Sequence, residues 1–169
     1  IMYGKAGQLI SLCELFMVKK TAKVKQRIVR IIDKLNAEII KMDDGYGWMN
    51  SNYEYPLTGM SHGVSGILVA YSKALKILKE KNLIDIISEG LRYENSLFDN
   101  GDWKDLRDCD NLCQKNYVSW CHGAGGILLA RAELLRNQYV NNEDELKKDI
   151  ELCILKILGS NLKEENCLC

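Results

Sequence analysis

Proline is nearly missing from this chain, at one residue in 169. Long helices can therefore run without the kinks that proline imposes. Net charge is missing as well: 23 Lys and Arg balance 23 Asp and Glu, with no basic run. That excludes a non-specific nucleic-acid or membrane-surface binder, whose affinity comes from clustered cations. No apolar stretch approaches the roughly 18–20 residues that cross a bilayer. The first residues, Ile1-Met2-Tyr3-Gly4, have neither the charged nor the apolar region of a secretion signal. They do not begin with Met, so the expectation is an excised or processed piece. The seven cysteines include no Cys-x-x-Cys pair. Their odd number argues against a complete disulfide framework, and without a secretion signal they point to a reducing, cytoplasmic setting.

What remains is helical. Val24, Ile28, Ile31, Ile32, Leu35 and Ile39 recur every three or four residues with charged residues between them. Ile67, Leu68, Tyr71, Leu75 and Leu78 do the same, as do Leu146, Ile150, Cys153 and Ile157. The pattern predicts helices near 6–18, 22–42, 63–80, 83–98, 123–138 and 143–162, with no long alternating run to compete. The fold class expected is all-α. Two long loops, near 43–61 and 99–121, hold all three tryptophans, Trp48, Trp103 and Trp120. Loops of this length in a helical protein are usually put to use.

A Gly-x-x-Gly sequence recurs. Gly4-Lys-Ala-Gly7, Gly63-Val-Ser-Gly66 and Gly123-Ala-Gly-Gly126 stand 59 and 60 residues apart, each ahead of an apolar helix. A more charged helix follows each one. This is the signature of stacked helical hairpins with an inner and an outer helix. Glycine weakens a helix by about 1 kcal/mol relative to alanine. Two at each helix start imply a steric reason, most simply helix ends crowded around a centre.

Both histidines directly precede such a sequence. His62 lies in Thr58-Gly-Met-Ser-His62-Gly, and His122 in Trp120-Cys121-His122-Gly. Each therefore sits at the start of an expected inner helix, where the helix dipole favours a thiolate. Cys121 is placed to exploit it. Cys169 is placed as Cys121 would be in one further repeat. Together they could bind a zinc ion as thiolates; Cys121 could equally be an inert buried thiol, and His62 a capping or core histidine. Cys13 and Cys153 fall in apolar helical patterns and read as small buried hydrophobes.

The motifs resemble those of the lanthipeptide synthetase cyclase family, the LanC-like proteins, over essentially the whole chain. The likeness is greatest to the C-terminal cyclase domain of the bifunctional class II enzymes. The residues that carry it are Gly4-Lys-Ala-Gly7, Leu57-Thr-Gly-Met-Ser-His-Gly-Val-Ser-Gly66, Leu91-Arg-Tyr-Glu94, Trp103-Lys-Asp-Leu-Arg107 and Trp120-Cys-His-Gly-Ala-Gly-Gly-Ile127. The resemblance implies an α/α toroid of about seven hairpins around a zinc ion, of which residues 1–169 would supply roughly four. It implies zinc ligation by Cys121 and by Cys169, whose Leu168-Cys169 looks like the start of a Leu-Cys-His-Gly motif. The third ligand, a histidine, would lie beyond Cys169, and an acidic site residue would precede Ile1. It implies that His62 is the acid/base.

The chemistry implied is addition of a cysteine thiol to dehydroalanine or dehydrobutyrine in a ribosomally made precursor peptide. A dehydratase domain or partner would make the dehydro residues. The family often has proline at the position of Gly125. One rival is a non-catalytic scaffold of the same family that binds peptides or thiols. Another is a sugar-processing α/α barrel, which would have to find its carboxylate pair among Asp43, Asp44, Asp105 and Asp108.

Overall fold

A computed structural model describes residues 4–50, 52–107, 118–137 and 143–160. Six helices dominate it: α1 (Lys5–Val18), α2 (Ala22–Asn36), α3 (Val64–Leu78), α4 (Lys81–Ser96), α5 (Ala124–Arg136) and α6 (Glu143–Gly159). They pair as antiparallel neighbours, α1 with α2, α3 with α4, and α5 with α6. Across the hairpins, α3 packs between α1 and α5. The odd-numbered helices thus form an inner layer, and each even-numbered helix backs onto its predecessor. Among the described residues there are three such hairpins; Cys169, where a fourth is expected to start, lies outside them. No helix among the described residues is long and apolar enough to cross a membrane.

The two layers follow from composition. In α3, Val64, Leu68, Val69, Ala70, Tyr71 and Ala74 are all buried, since neighbours cover this helix on several sides. In α2 only Ile28, Ile32 and Leu35 are buried, while Lys and Arg occupy its outer face. Thr21 starts that helix by accepting a hydrogen bond on its hydroxyl from the Val24 amide at 3.3 Å.

The second helix is shorter than its periodicity predicts. It ends at Asn36, and the chain turns into a two-stranded hairpin, β1 (Ile39–Met42) with β2 (Gly45–Trp48). Ile39 and Ile40 are β-branched, and Asp43-Asp44-Gly45 supplies the turn. Gly45 takes φ +130°, and a Cβ there would meet the Glu89 carbonyl oxygen at 2.2 Å. The Trp48 indole donates to the Leu35 carbonyl at 2.9 Å, satisfying one of the carbonyls that a helix end leaves over.

The same device follows the second hairpin. Strands β3 (Phe98–Asp99) and β4 (Asp102–Trp103) pair across Asn100-Gly101, both with positive φ. The Phe98 ring meets Trp103 edge-on at 4.7 Å. Phe98 therefore belongs to this hairpin and not to the preceding helix. The repeating unit is an inner helix, an outer helix and a short hairpin that ends on a buried tryptophan.

Candidate functional site

Two loops lead into the inner helices α3 and α5, and they touch. In the first, Leu57, Thr58, Met60 and Ser61 are all buried. Gly63 lets the chain fold back on itself, because a Cβ there would lie 2.2 Å from the Thr58 carbonyl. In the second, Gly126 approaches the Trp120 carbonyl so closely that a Cβ would stand 2.1 Å away. The crowding inferred from the repeated glycines is thus real in the second and third repeats. Gly4 differs: among the described residues nothing lies within 4 Å of a Cβ there.

The contact between the loops centres on Cys121. Its carbonyl accepts from the Ser61 amide at 3.2 Å. Gly59, at φ +91°, lies against the same carbonyl, with a Cβ position 2.8 Å from it. The Cys121 side chain is buried, at 1% exposure. The imidazoles of His62 and His122 stack, with centroids 5.7 Å apart and planes 13° from parallel. His122 is buried and His62 is exposed. Ser119 secures the second loop, its hydroxyl donating to the His122 carbonyl at 2.8 Å.

An arginine–aspartate ion pair acts on the imidazoles. Arg107 forks onto Asp105, with Nη2 to Oδ2 at 2.6 Å and Nε to Oδ1 at 3.0 Å. Burial alone would raise the Asp105 carboxyl, but the hydrogen bonds and charge of Arg107 hold it below the usual carboxylate range. Burial and then Arg107 push His122 down to about 4, against the opposing pull of Asp105. Partial desolvation, with Arg107 contributing, also lowers His62. Both imidazoles are therefore neutral bases at pH 7.

Behind the loops lies a buried polar network. Both oxygens of Glu94 are engaged. Oε1 accepts from the amides of Gly59 at 2.9 Å and Ser65 at 3.2 Å. Oε2 accepts from the Ser65 hydroxyl and from Arg131 Nη1, each at 2.7 Å. Arg131, wholly buried on α5, also donates to Asp149 on α6 at 2.9 Å and to Asn95 at 2.9 Å. The Thr58 hydroxyl donates to the Lys104 carbonyl at 3.0 Å, fastening the first loop to the segment after β4.

Of the residues singled out from sequence, His62 and Cys121 fall on the two touching loops. Cys169 lies outside the described residues, as do Cys109, Cys113 and Asp108. Among the described residues no group of three His, Cys, Asp or Glu is poised to hold a metal. The two touching loops carry one thiol, Cys121, and two imidazoles, His62 and His122, the soft and borderline donor types that zinc takes. Cys13 and Cys153 are buried, and burial raises both thiols to about 12. Among the described residues the carboxylates of a sugar-processing site are not assembled. Asp43 and Asp44 stand at the turn between β1 and β2, and Asp105 is occupied by Arg107. The roles of Glu94 and Arg107 were not read from sequence, although both close a recognisable motif.

Comparison with known proteins adds two findings. The family described as lanthionine synthetase C-like protein matches residues 1–169. The lacticin 481/lactococcin biosynthesis protein LcnDR2 of Lactococcus lactis subsp. lactis is 30% identical over 121 residues. That match covers 67% of this chain and 13% of the relative's length.

Proposed function

The chain belongs to the lanthionine synthetase C-like family, and from that premise we propose that it contributes to a site forming thioether rings in a lanthipeptide precursor. The observation that carries the reading is the junction of the two loops. There the loop of His62, an exposed imidazole stacked on His122, meets the backbone of the loop that holds the buried Cys121.

The reaction is addition of a peptide thiol across the double bond of a dehydroalanine or dehydrobutyrine. A bond forms between sulfur and the β-carbon. The π electrons move to the α-carbon and its carbonyl, and a proton must then reach the α-carbon. His62 is neutral at pH 7, so it can take the thiol proton and return it to the α-carbon. His122 buttresses the His62 ring from behind. No redox cofactor is consumed.

The donor chemistry at Cys121 suits zinc. In this reading Cys121 and Cys169 are two of its ligands, with a third beyond Cys169. Bound zinc would lower the pKa of the peptide thiol so that a thiolate exists at neutral pH. The three described hairpins would be part of an α/α toroid, residues 1–169 supplying roughly four of about seven. A dehydratase domain or partner must act first, because ring closure needs the dehydro residue as its substrate. The peptide's thiols must also stay reduced, which suits a cytoplasmic location.

The test uses the intact protein that carries this chain and a dehydrated, cysteine-containing precursor peptide. Ring closure leaves the peptide mass unchanged but removes thiols that iodoacetamide can alkylate. Loss of alkylatable thiols with the wild-type protein, and their persistence with His62→Ala, is the expected result. Peptide that binds but keeps all its thiols would replace the enzyme by a binding scaffold.

A further inference from the structure

Glu94 is 0% exposed, yet it lies at the meeting point of three elements. It stands on α4, an outer helix, and reaches through to the inner layer. Its Oε1 takes the amides of Gly59 and Ser65, the two ends of the segment that carries His62 at its centre. Its Oε2 takes the Ser65 hydroxyl at the first turn of α3 and Arg131 on α5. The segment so held contacts the second loop through Gly59 and Ser61 on the Cys121 carbonyl. We infer that Glu94 is a positioning residue for the thioether-forming site: one carboxylate pins both ends of the His62 loop and ties that loop to the helix that follows Cys121.

A generic core ion pair would not show this pattern. Four donors converge on Glu94, and three of them belong to the His62 loop and its continuation into α3. Asp149 supplies the contrast. It is nearly buried and pairs with the same arginine, through Nε, on the α6 side, and among the described residues no hydrogen bond runs from it to either loop. Removing charge at Glu94 or at Asp149 perturbs the same arginine, but only the former releases the loop. A displaced catalytic group loses rate steeply, on the order of 10²-fold for about 1 Å.

The inference rests on the thioether-forming reading, so the test has one readout that depends on it and one that does not. In the intact protein, Glu94→Gln keeps the side chain's shape but leaves a single acceptor oxygen for four donors. The expected result is a fall in kcat of roughly tenfold or more with KM little changed, while Asp149→Asn, destabilised to a similar degree, keeps near wild-type kcat. Loss of kcat in both variants in proportion to their melting temperatures would overturn the inference. If Glu94→Gln does not fold, Ser65→Ala decides, since it removes only the 2.7 Å hydroxyl donor. A severalfold fall in kcat supports the inference and an unchanged kcat overturns it. If the wild-type protein closes no rings, the functional reading fails by itself. The positioning claim is then judged by hydrogen exchange at the Gly59 and Ser65 amides. Exchange at least about tenfold faster in the variant supports it, and unchanged protection overturns it.

Discussion

The imidazoles of His62 and His122, one repeat apart in the chain, stack with centroids 5.7 Å apart and planes 13° from parallel. One ring is exposed and the other is buried. The pair exists because two glycine-led helix starts are brought side by side, with Ser61 and Gly59 resting on the Cys121 carbonyl.

Because the His62 ring is exposed, its loss should affect chemistry more than stability. His62→Ala should slow ring closure by about 10²-fold or more, the range for losing a positioned acid/base. The melting temperature should stay within a few degrees of wild type. A variant that retains full turnover would remove His62 from the mechanism.

Gly59 cannot be replaced without strain. Its φ of +91° disfavours any side chain, and a Cβ would sit 2.8 Å from the Cys121 carbonyl oxygen. Gly59→Ala should lower unfolding free energy by roughly 1–3 kcal/mol and move the loops apart. Denaturant unfolding measures the first effect. Solvent exchange of the Ser61 amide, which bonds to Cys121, measures the second.

Arg131 is fully buried between Glu94 and Asp149. Arg131→Met leaves two carboxylates without their cation in a dry site. That should lower stability by about 3–5 kcal/mol, the range for breaking a buried pair from one side. Adding Glu94→Gln and Asp149→Asn should recover part of the loss. Strict additivity of the three changes would refute the coupling.

Cys13 and Cys153 give a pH dependence at the alkaline end. Burial raises both folded-state pKa values to about 12. In the unfolded chain these thiols ionise near their ordinary value of about 8.5–9. Above that pH the unfolded state binds fewer protons than the folded one, so stability falls as pH rises towards 12. By pH 10 each thiol should remove roughly 1.5–2 kcal/mol. The slope of unfolding free energy between pH 8 and 10 should be shallower in Cys13→Ala. Native-state alkylation of both thiols should be slow.

Much of this arrangement is legible from local signals. Gly63 and Gly126 stand out because glycine at a helix start needs a reason, and the reason is a carbonyl a little over 2 Å from where a Cβ would be. The hairpins that follow α2 and α4 are harder to read. Ile39 falls on the helical period of α2 although it is in a strand, so periodicity carries the helix too far. Asp44-Gly45 and Asn100-Gly101, each followed within three residues by a tryptophan, are the overlooked signal. Glu94 was hidden for a different reason. Its partners lie 29 to 37 residues away, and no sequence spacing encodes a contact made through tertiary packing. Cys169, expected from its place in the repeat to be a thiolate ligand, lies outside the described residues.

Zinc content and ring closure measured together on the intact protein test the central claim most directly. The wild type should carry one zinc per chain and convert alkylatable peptide thiols into thioethers. Cys121→Ala should lose both the metal and the activity while keeping its helical circular-dichroism signal. A Cys121→Ala protein that still held its zinc and still closed rings would contradict the account.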